Sequence, residues 1–210
     1  MWLKVEEGLG KQFPGLRAQV AFIHGVKVER ESPQLDDFKK ELTENLKSEF
    51  TLEQLKDLKI FRAYRDFYWR IGIDPTKTRP SGEALLRRVL AGKPFPKINT
   101  LVDSYNLASA RTGVAIGAFD RSRLKGELLL RRAKPCERFM GIGMREPEIL
   151  HGNEPVVCDE EKLIAIYPYR DSDETKITQK TTDVLLLICG VPGIEDVKLH
   201  NTTELTIEYI

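Results

Sequence analysis

Phe95 to Asp120 reads FPKINTLVDSYNLASARTGVAIGAFD, and its two halves ask for different backbone. Ile98 to Leu107 suits a helix or a turn of one, and Val114 to Phe119 is a short apolar run that suits a strand. Short polar side chains stand among small residues, which is how the wall of a pocket reads. Asn99, Asp103 and Asn106 fall at steps of four and three, which on a helix would place them along one side. An asparagine amide donates and accepts, so it can read an amide, an adenine edge or an amino-acid backbone. The same spacing also serves plain capping by Asn99 and an Asx turn at Asp103.

Working outward, helices gather before this stretch and strands after it. Leu16–Ile23 reads as a strand, continued after Gly25 by the alternating Val26-Lys27-Val28-Glu29. Ser32-Pro33 opens a helix with Leu35, Phe38, Leu42 and Leu46 at helical steps. Thr51-x-x-Gln54 resembles a capping box and opens a second helix. Lys59 to Trp69 is a third helix, and Glu83 to Ala91, preceded by Ser81, a fourth. Beyond residue 120, Glu127–Arg131, Val156–Cys158, Leu163–Tyr167 and Val184–Cys189 read as strands. The alternating Glu204–Ile210 reads as an edge strand. The predicted class is therefore α+β, with a β-sandwich-like or mixed-sheet core and flanking helices, in place of repeated βαβ units. One domain is expected over residues 1–210, with a strand-plus-helix part to residue 60 and a core over 61–210.

The totals narrow the function classes. The chain has 210 residues, net charge +1 and three widely spaced cysteines, Cys136, Cys158 and Cys189. With no overall basic excess, any nucleic-acid contact must come from a local patch. The odd, scattered cysteines suggest neither a disulfide framework nor a zinc ribbon, and a reducing cytoplasm is the expected setting. No apolar run is long enough to cross a bilayer, so no membrane partner is expected. His24, His151 and His200 have no second ligand at metal spacing, so neither a metal nor a cofactor is expected. Gly141-Ile142-Gly143 lacks the third glycine of a dinucleotide fingerprint and reads as a turn.

Two further segments carry alternatives. Tyr64-Arg65-Asp66-Phe67-Tyr68-Trp69-Arg70 is either a stacking platform for bases or, the preferred reading, a helix that sends its aromatics into the core. Arg170 to Thr182 is wholly polar save Ile177, with Thr175, Thr178 and Thr181 every third residue. It either orders a tight turn through its own side chains or lines a site that binds a small polar group.

Pro80 to Asp120 resembles the fused third and fourth modules of the bacterial phenylalanyl-tRNA synthetase beta subunit. The family pattern Gly-x-Arg-Pro-Ile-Asn-Asn-Val-Val-Asp-x-Thr-Asn-Tyr is matched by Gly92 and by Pro96 through Asn106. Its Gly-Gln-Pro-x-His-Ala-Phe-Asp is matched by Gly113 through Gly117-Ala118-Phe119-Asp120. The resemblance implies a β-sandwich-like core with flanking helices, and a tRNA-binding, editing-type activity that hydrolyses a wrongly esterified amino acid. It places Asn106 at the family's pocket asparagine, Tyr105 where the family has Thr, and Gly117 where it has a pocket His. Asp171 or Asp173 would stand in for the family's later acidic residue. The expected site is Asn99, Asp103, Tyr105, Asn106, Gly117, Arg170, Asp171 and Thr175, with Arg170 meeting the terminal phosphate and no catalytic residue assigned. The expected partner is tRNA or aminoacyl-tRNA, deacylated in trans. The rival is a non-catalytic module for RNA or a small amino-acid-like ligand. No ligase activity is expected.

Overall fold

The structure, a computed structural model, describes residues 1–210. In chain order the elements are β1 (Lys4–Val5), α1 (Glu7–Gln12), β2 (Arg17–Ile23), α2 (Pro33–Glu49), α3 (Lys59–Arg70), α4 (Ser81–Leu90) and α5 (Thr100–Thr112). There follow β3 (Ala115–Asp120), β4 (Leu129–Arg132), β5 (Arg138–Phe139), β6 (Glu148–Ile149), β7 (Pro155–Cys158), β8 (Leu163–Ile166), β9 (Arg170–Asp171), β10 (Val184–Gly190) and α6 (Asp196–Tyr209). β10 lies between β2 and β3 in an antiparallel sheet, with Leu187 opposite Val20 on one side and Gly117 on the other. A second, mixed sheet runs β1-β4-β7-β8-β9, parallel only between β1 and β4, and β5 pairs with β6. All seven residues of β10 are buried, as expected of a central strand covered on both faces. One cluster of 33 buried residues takes side chains from both large sheets and from α3, among them Leu186, Ile188, Val157, Ile164, Tyr64 and Phe67. A smaller cluster joins α2, α4 and α5 through Leu42, Leu46, Leu86, Val89 and Leu107. The α+β class with flanking helices is the architecture found.

Two expectations are corrected. Glu204–Ile210 is not an edge strand but the end of α6. Its inward residues Leu199, Thr202, Thr203 and Thr206 are spaced as a helix requires. The β-branched threonines sit there because their hydroxyls donate to carbonyls one turn back: Thr202 to Lys198 at 2.8 Å, Thr203 to Leu199 at 2.9 Å and Thr206 to Thr202 at 2.6 Å. Val26–Glu29 is not a strand either: the β2–β10 ladder ends at Ile23 opposite Val184, and only Val26 N–H reaches across beyond it, to the Thr182 carbonyl at 2.9 Å. The segment instead pins the start of α5: Thr100 N–H donates to the Glu29 carbonyl at 2.9 Å, and Glu29 N–H to Thr100 Oγ1 at 3.0 Å. The Thr51–Gln54 capping box forms reciprocally but opens only a short 3-10 turn, Gln54–Asp57.

The aromatics of α3 enter the core. Tyr64, Phe67 and Tyr68 are buried, and only Trp69 of that run is exposed among the rings. The Tyr64 hydroxyl donates to the Cys189 carbonyl and accepts from the Ala115 N–H at 2.9 Å, tying α3 to β10 and the start of β3. On the next helix, fully buried Glu83 holds two guanidiniums: Arg65 Nε lies 2.8 Å from Oε2 and Arg87 Nε 2.6 Å from Oε1. Gly82, beside it, is where α4 crosses the end of α5. A Cβ there would lie 2.7 Å from both the carbonyl carbon and oxygen of Gly113, and 2.9 Å from the Ser109 oxygen. Backbone cannot give way as a side-chain tip can, so Gly82→Ala is expected to lower the urea midpoint by an amount worth about 2 kcal/mol. An unchanged midpoint would show that the two helices are free to separate.

Candidate functional site

A cavity of about 180 Å³ opens where α5, β3, β9 and β10 converge, closed on one side by Tyr167-Pro168-Tyr169 and by Ser81 at the start of α4. Tyr105 and Asn106 reach it from α5, Gly117 from β3, Asp171 from β9, and Leu187 and Cys189 from β10. The two segments that flank Phe119 and follow Tyr169 thus meet across one hollow. The contact is close. A Cβ on Gly117 would lie 3.0 Å from Asp171 Oδ1, 3.1 Å from Oδ2 and 3.4 Å from Cγ. The carboxylate therefore faces the bare Cα of Gly117 broadside: a methyl at 117 would press it back by a few tenths of an ångström, and a larger side chain would displace it. The backbone of Asp171 is fixed by β8, opposite Ala165, and its carbonyl accepts from the Ile142 N–H at 2.9 Å.

The other expected residues lie elsewhere. Asn99 caps α5, its side chain accepting from the Val102 N–H at 2.9 Å. Asp103 turns toward α2, where Lys39 Nζ is 2.6 Å from Oδ2, and it also accepts from the Ile98 N–H at 2.9 Å. Arg170 is exposed and donates to the Ile142 carbonyl at 3.3 Å. Thr175 is fully buried outside the cavity lining, its hydroxyl without a protein partner and its carbonyl accepting from the Asp120 N–H at 2.9 Å. The threonine-rich loop orders itself: Thr181 Oγ1 accepts from the Thr178 N–H at 3.0 Å and donates to Asp120 Oδ2 at 2.8 Å. The reading of a self-ordered turn is met over Thr178–Thr181, and of the 170–182 segment only Asp171 reaches the cavity.

Several residues at the site were not singled out from the sequence. Ser81 was expected to cap α4, but Pro80 holds that place, and the buried Ser81 Oγ has no protein partner. Tyr68 is buried behind the wall, 6.3 Å ring to ring from Tyr169, and its hydroxyl is likewise unpartnered. Leu187 and Cys189 read only as core strand.

The electrostatics follow from enclosure. Burial pushes the Asp171 carboxyl up to about 7, against the opposing pull of the Ala118 N–H. Burial first, and then the Asp171 and Asp103 charges, lift Tyr105 well above the usual phenol range. Tyr169 is pushed up to about 12, again chiefly by burial. Burial and then the Asp171 charge raise the Cys189 thiol, so it is not an activated nucleophile. The cavity therefore offers one ionisable carboxyl, neutral phenols and an asparagine amide within an otherwise largely apolar wall. A second depression of about 340 Å³, lined by Trp2, Phe22, Leu124 and Leu185 among others, contains none of the expected residues. No group of three or more His, Cys, Asp or Glu side chains converges as metal ligands would, and no helix is long and apolar enough to cross a membrane.

Comparison with known proteins places these elements in a wider group. The B3/4 domain matches residues 63–206. The chain is 32% identical over 115 residues to the phenylalanine–tRNA ligase beta subunit of Nocardia farcinica, covering 55% of this chain and 13% of that protein. To the same subunit of Rhodopseudomonas palustris it is 26% identical over 170 residues, covering 81% of this chain and 21% of that one. The chain thus spans only a small part of these curated relatives. An N-terminal fragment of the phenylalanyl-tRNA synthetase beta subunit from Pyrococcus horikoshii superposes with a TM-score of 0.51 at 14% identity, covering 99% of this chain and 47% of the fragment. At that identity the likeness concerns the fold alone.

Proposed function

The chain belongs to the B3/4 domain family, and from that premise we propose that it binds the aminoacylated end of a tRNA and hydrolyses a wrongly attached amino acid in trans. The cavity between Asn106 and Asp171 is the observation that carries this reading. At about 180 Å³ it is smaller than the roughly 300 Å³ at which sites for drug-sized ligands begin. That size suits an amino-acid group and leaves the rest of the tRNA outside. The Asn106 amide is suited to donate to the acyl carbonyl, and the phenols of Tyr105 and Tyr169 remain protonated donors at neutral pH.

The chemistry requires no protein nucleophile. Water adds to the acyl carbon, the ester C–O bond breaks, and the ribose oxygen leaves with a proton, giving free amino acid and uncharged tRNA. Positioning water and the neighbouring ribose hydroxyl against the ester accounts for several kcal/mol of barrier lowering. A lysine-rich hollow between α2 and the segment after α4 is the candidate contact for the RNA backbone, with Lys39, Lys40, Lys47, Lys93 and Lys97 on its lining. Most of that charge is already compensated: Lys39 pairs with Asp36 and Asp103, Lys40 with Asp37, Lys47 with Glu44, and Lys97 with Glu31 and Asp36, which leaves Lys93 without a carboxylate partner.

A second reading, a non-catalytic module that binds the same group, is favoured by Gly117, which removes a side chain from the pocket. A deacylation panel separates the two. The protein is incubated with tRNAs charged with non-cognate amino acids, and release of each is followed. Editing predicts turnover of at least one of them, reduced at least about tenfold in Asn106→Ala through loss of an amide donor. Binding without turnover selects the second reading. Neither binding nor turnover on any tRNA removes both.

A further inference from the structure

Resting on the reading that this cavity receives an aminoacyl group, we propose that Asp171 and Gly117 act together to select a ligand with a free primary ammonium, which the Asp171 carboxylate accepts within the cavity. The pair is a specificity device, and its parts are separately visible. Gly117 contributes the space. With a Cβ at 117 only 3.0 Å and 3.1 Å from the two carboxylate oxygens, the bare position gives Asp171 room that a bulkier residue would take. Asp171 contributes the charge. It forms no ion pair, and the one polar group set against its carboxylate is the Ala118 N–H. Ile116, Ala165 and Leu187 form apolar wall around it.

Asp171 is half-buried, and a partly dehydrated carboxylate without a cation carries a desolvation cost that a cationic ligand offsets and an anionic or neutral one does not. An ammonium has three donors. Beyond Asp171, the unpartnered Ser81 Oγ on the lining is free to accept a second. No other charged side chain lines the hollow; its remaining titratable groups are Tyr105, Tyr167, Tyr169 and Cys189. Free carboxylates and N-acylated amino groups are accordingly rejected, the first by charge and the second because Asp171 would be covered by the ligand without gaining a cationic partner. A site built around a buried polar group discriminates strongly against ligands that leave it unsatisfied.

The test is calorimetric binding of 3′-aminoacylamino-3′-deoxyadenosines, in which an amide replaces the labile ester, with small and aromatic amino acids. Each is compared with its N-acetyl form and with the free amino-acid amide lacking the nucleoside. Free-amine forms are expected to bind at least about tenfold tighter than N-acetyl forms, and Asp171→Asn is expected to erase that preference. Gly117→Val, whose branched side chain extends beyond a Cβ already 3.0 Å from the carboxylate and so pushes it aside while keeping its charge, is expected to do the same, so the inference remains testable if one variant misfolds. Equal binding of amine and N-acetyl forms, or a preference that survives Asp171→Asn, overturns the inference and leaves the aminoacyl-end reading standing. If amino-acid amides show the preference and the nucleoside adds nothing, the inference holds and the tRNA-end reading falls. If no compound binds, both fall.

Discussion

Asp171→Asn is expected to raise the unfolding temperature at pH 8 and to change it little at pH 4. Burial pushes the Asp171 carboxyl up to about 7 in the folded protein, whereas in the unfolded chain it titrates near the ordinary aspartate value of about 3.9. A folded pKa above the unfolded one means that the contribution to stability is fully present below pH 4 and is lost as pH rises through 7. Each pH unit between the two titration points is worth about 1.4 kcal/mol. Allowing for partial access of water, the wild-type protein forfeits about 3 kcal/mol by pH 8. Asparagine has the same shape and no charge to bury, so the variant escapes that loss. For a chain of this size the difference corresponds to roughly 6–12 °C. The surrounding groups do not confuse the measurement. Tyr105, Tyr167, Tyr169 and Cys189 all have their deprotonation pushed upward, and Arg170 sends its guanidinium to the Ile142 carbonyl. Scanning calorimetry at pH 4, 6 and 8 is the check, and a variant no more stable than wild type at pH 8 would remove the enclosed charge from the account.

Glu83→Ala is expected to have an effect of similar size and opposite sign. The carboxylate is fully buried between Arg65 of α3 and Arg87 of its own helix. Removing it leaves two guanidiniums facing each other with their common partner gone. Breaking a buried ion pair from one side commonly costs about 3–5 kcal/mol. Both arginine side chains are 27% exposed and can turn partly to water, so the lower end, about 3 kcal/mol, is expected. Glu83→Gln keeps the shape and one acceptor and should lose roughly half as much. Urea unfolding of both variants tests this. An alanine variant within 0.5 kcal/mol of wild type, a margin ordinary for surface changes, would mean that the pair contributes no net stability.

The layout of the fold was legible because its long elements obey their own periods. The α2 residues Leu42 and Leu46 and the unbroken apolar run Val184–Cys189 lie where their patterns require. Legibility failed where a side chain changed the meaning of a pattern. The alternation of Glu204–Ile210 suggests an edge strand, yet the segment ends a helix in which Thr202, Thr203 and Thr206 each fold a hydroxyl back on the preceding turn. At the cavity, the sequence pointed to Tyr105, Asn106, Gly117 and Asp171, but the steps of four and three that tied Asn99 and Asp103 to Asn106 were misleading. Asn99 caps, and Asp103 leans toward Lys39 of α2, a partner 64 positions away. Ser81, Tyr68 and Cys189 were invisible as site residues because nothing local distinguishes a hydroxyl or thiol that ends beside a hollow from one that fills a core.

The bare Cα beneath the Asp171 carboxylate also bounds how this protein can diverge. Positions 117 and 171 do not drift freely of one another: a lineage that acquires a bulky side chain at the first must shift or redirect the acid at the second. The order of the two changes matters, because the acid can be lost while glycine remains, whereas a large residue at 117 arriving first crowds the acid. Among descendants of this chain, an acidic residue at 171 should therefore keep company with a small residue at 117.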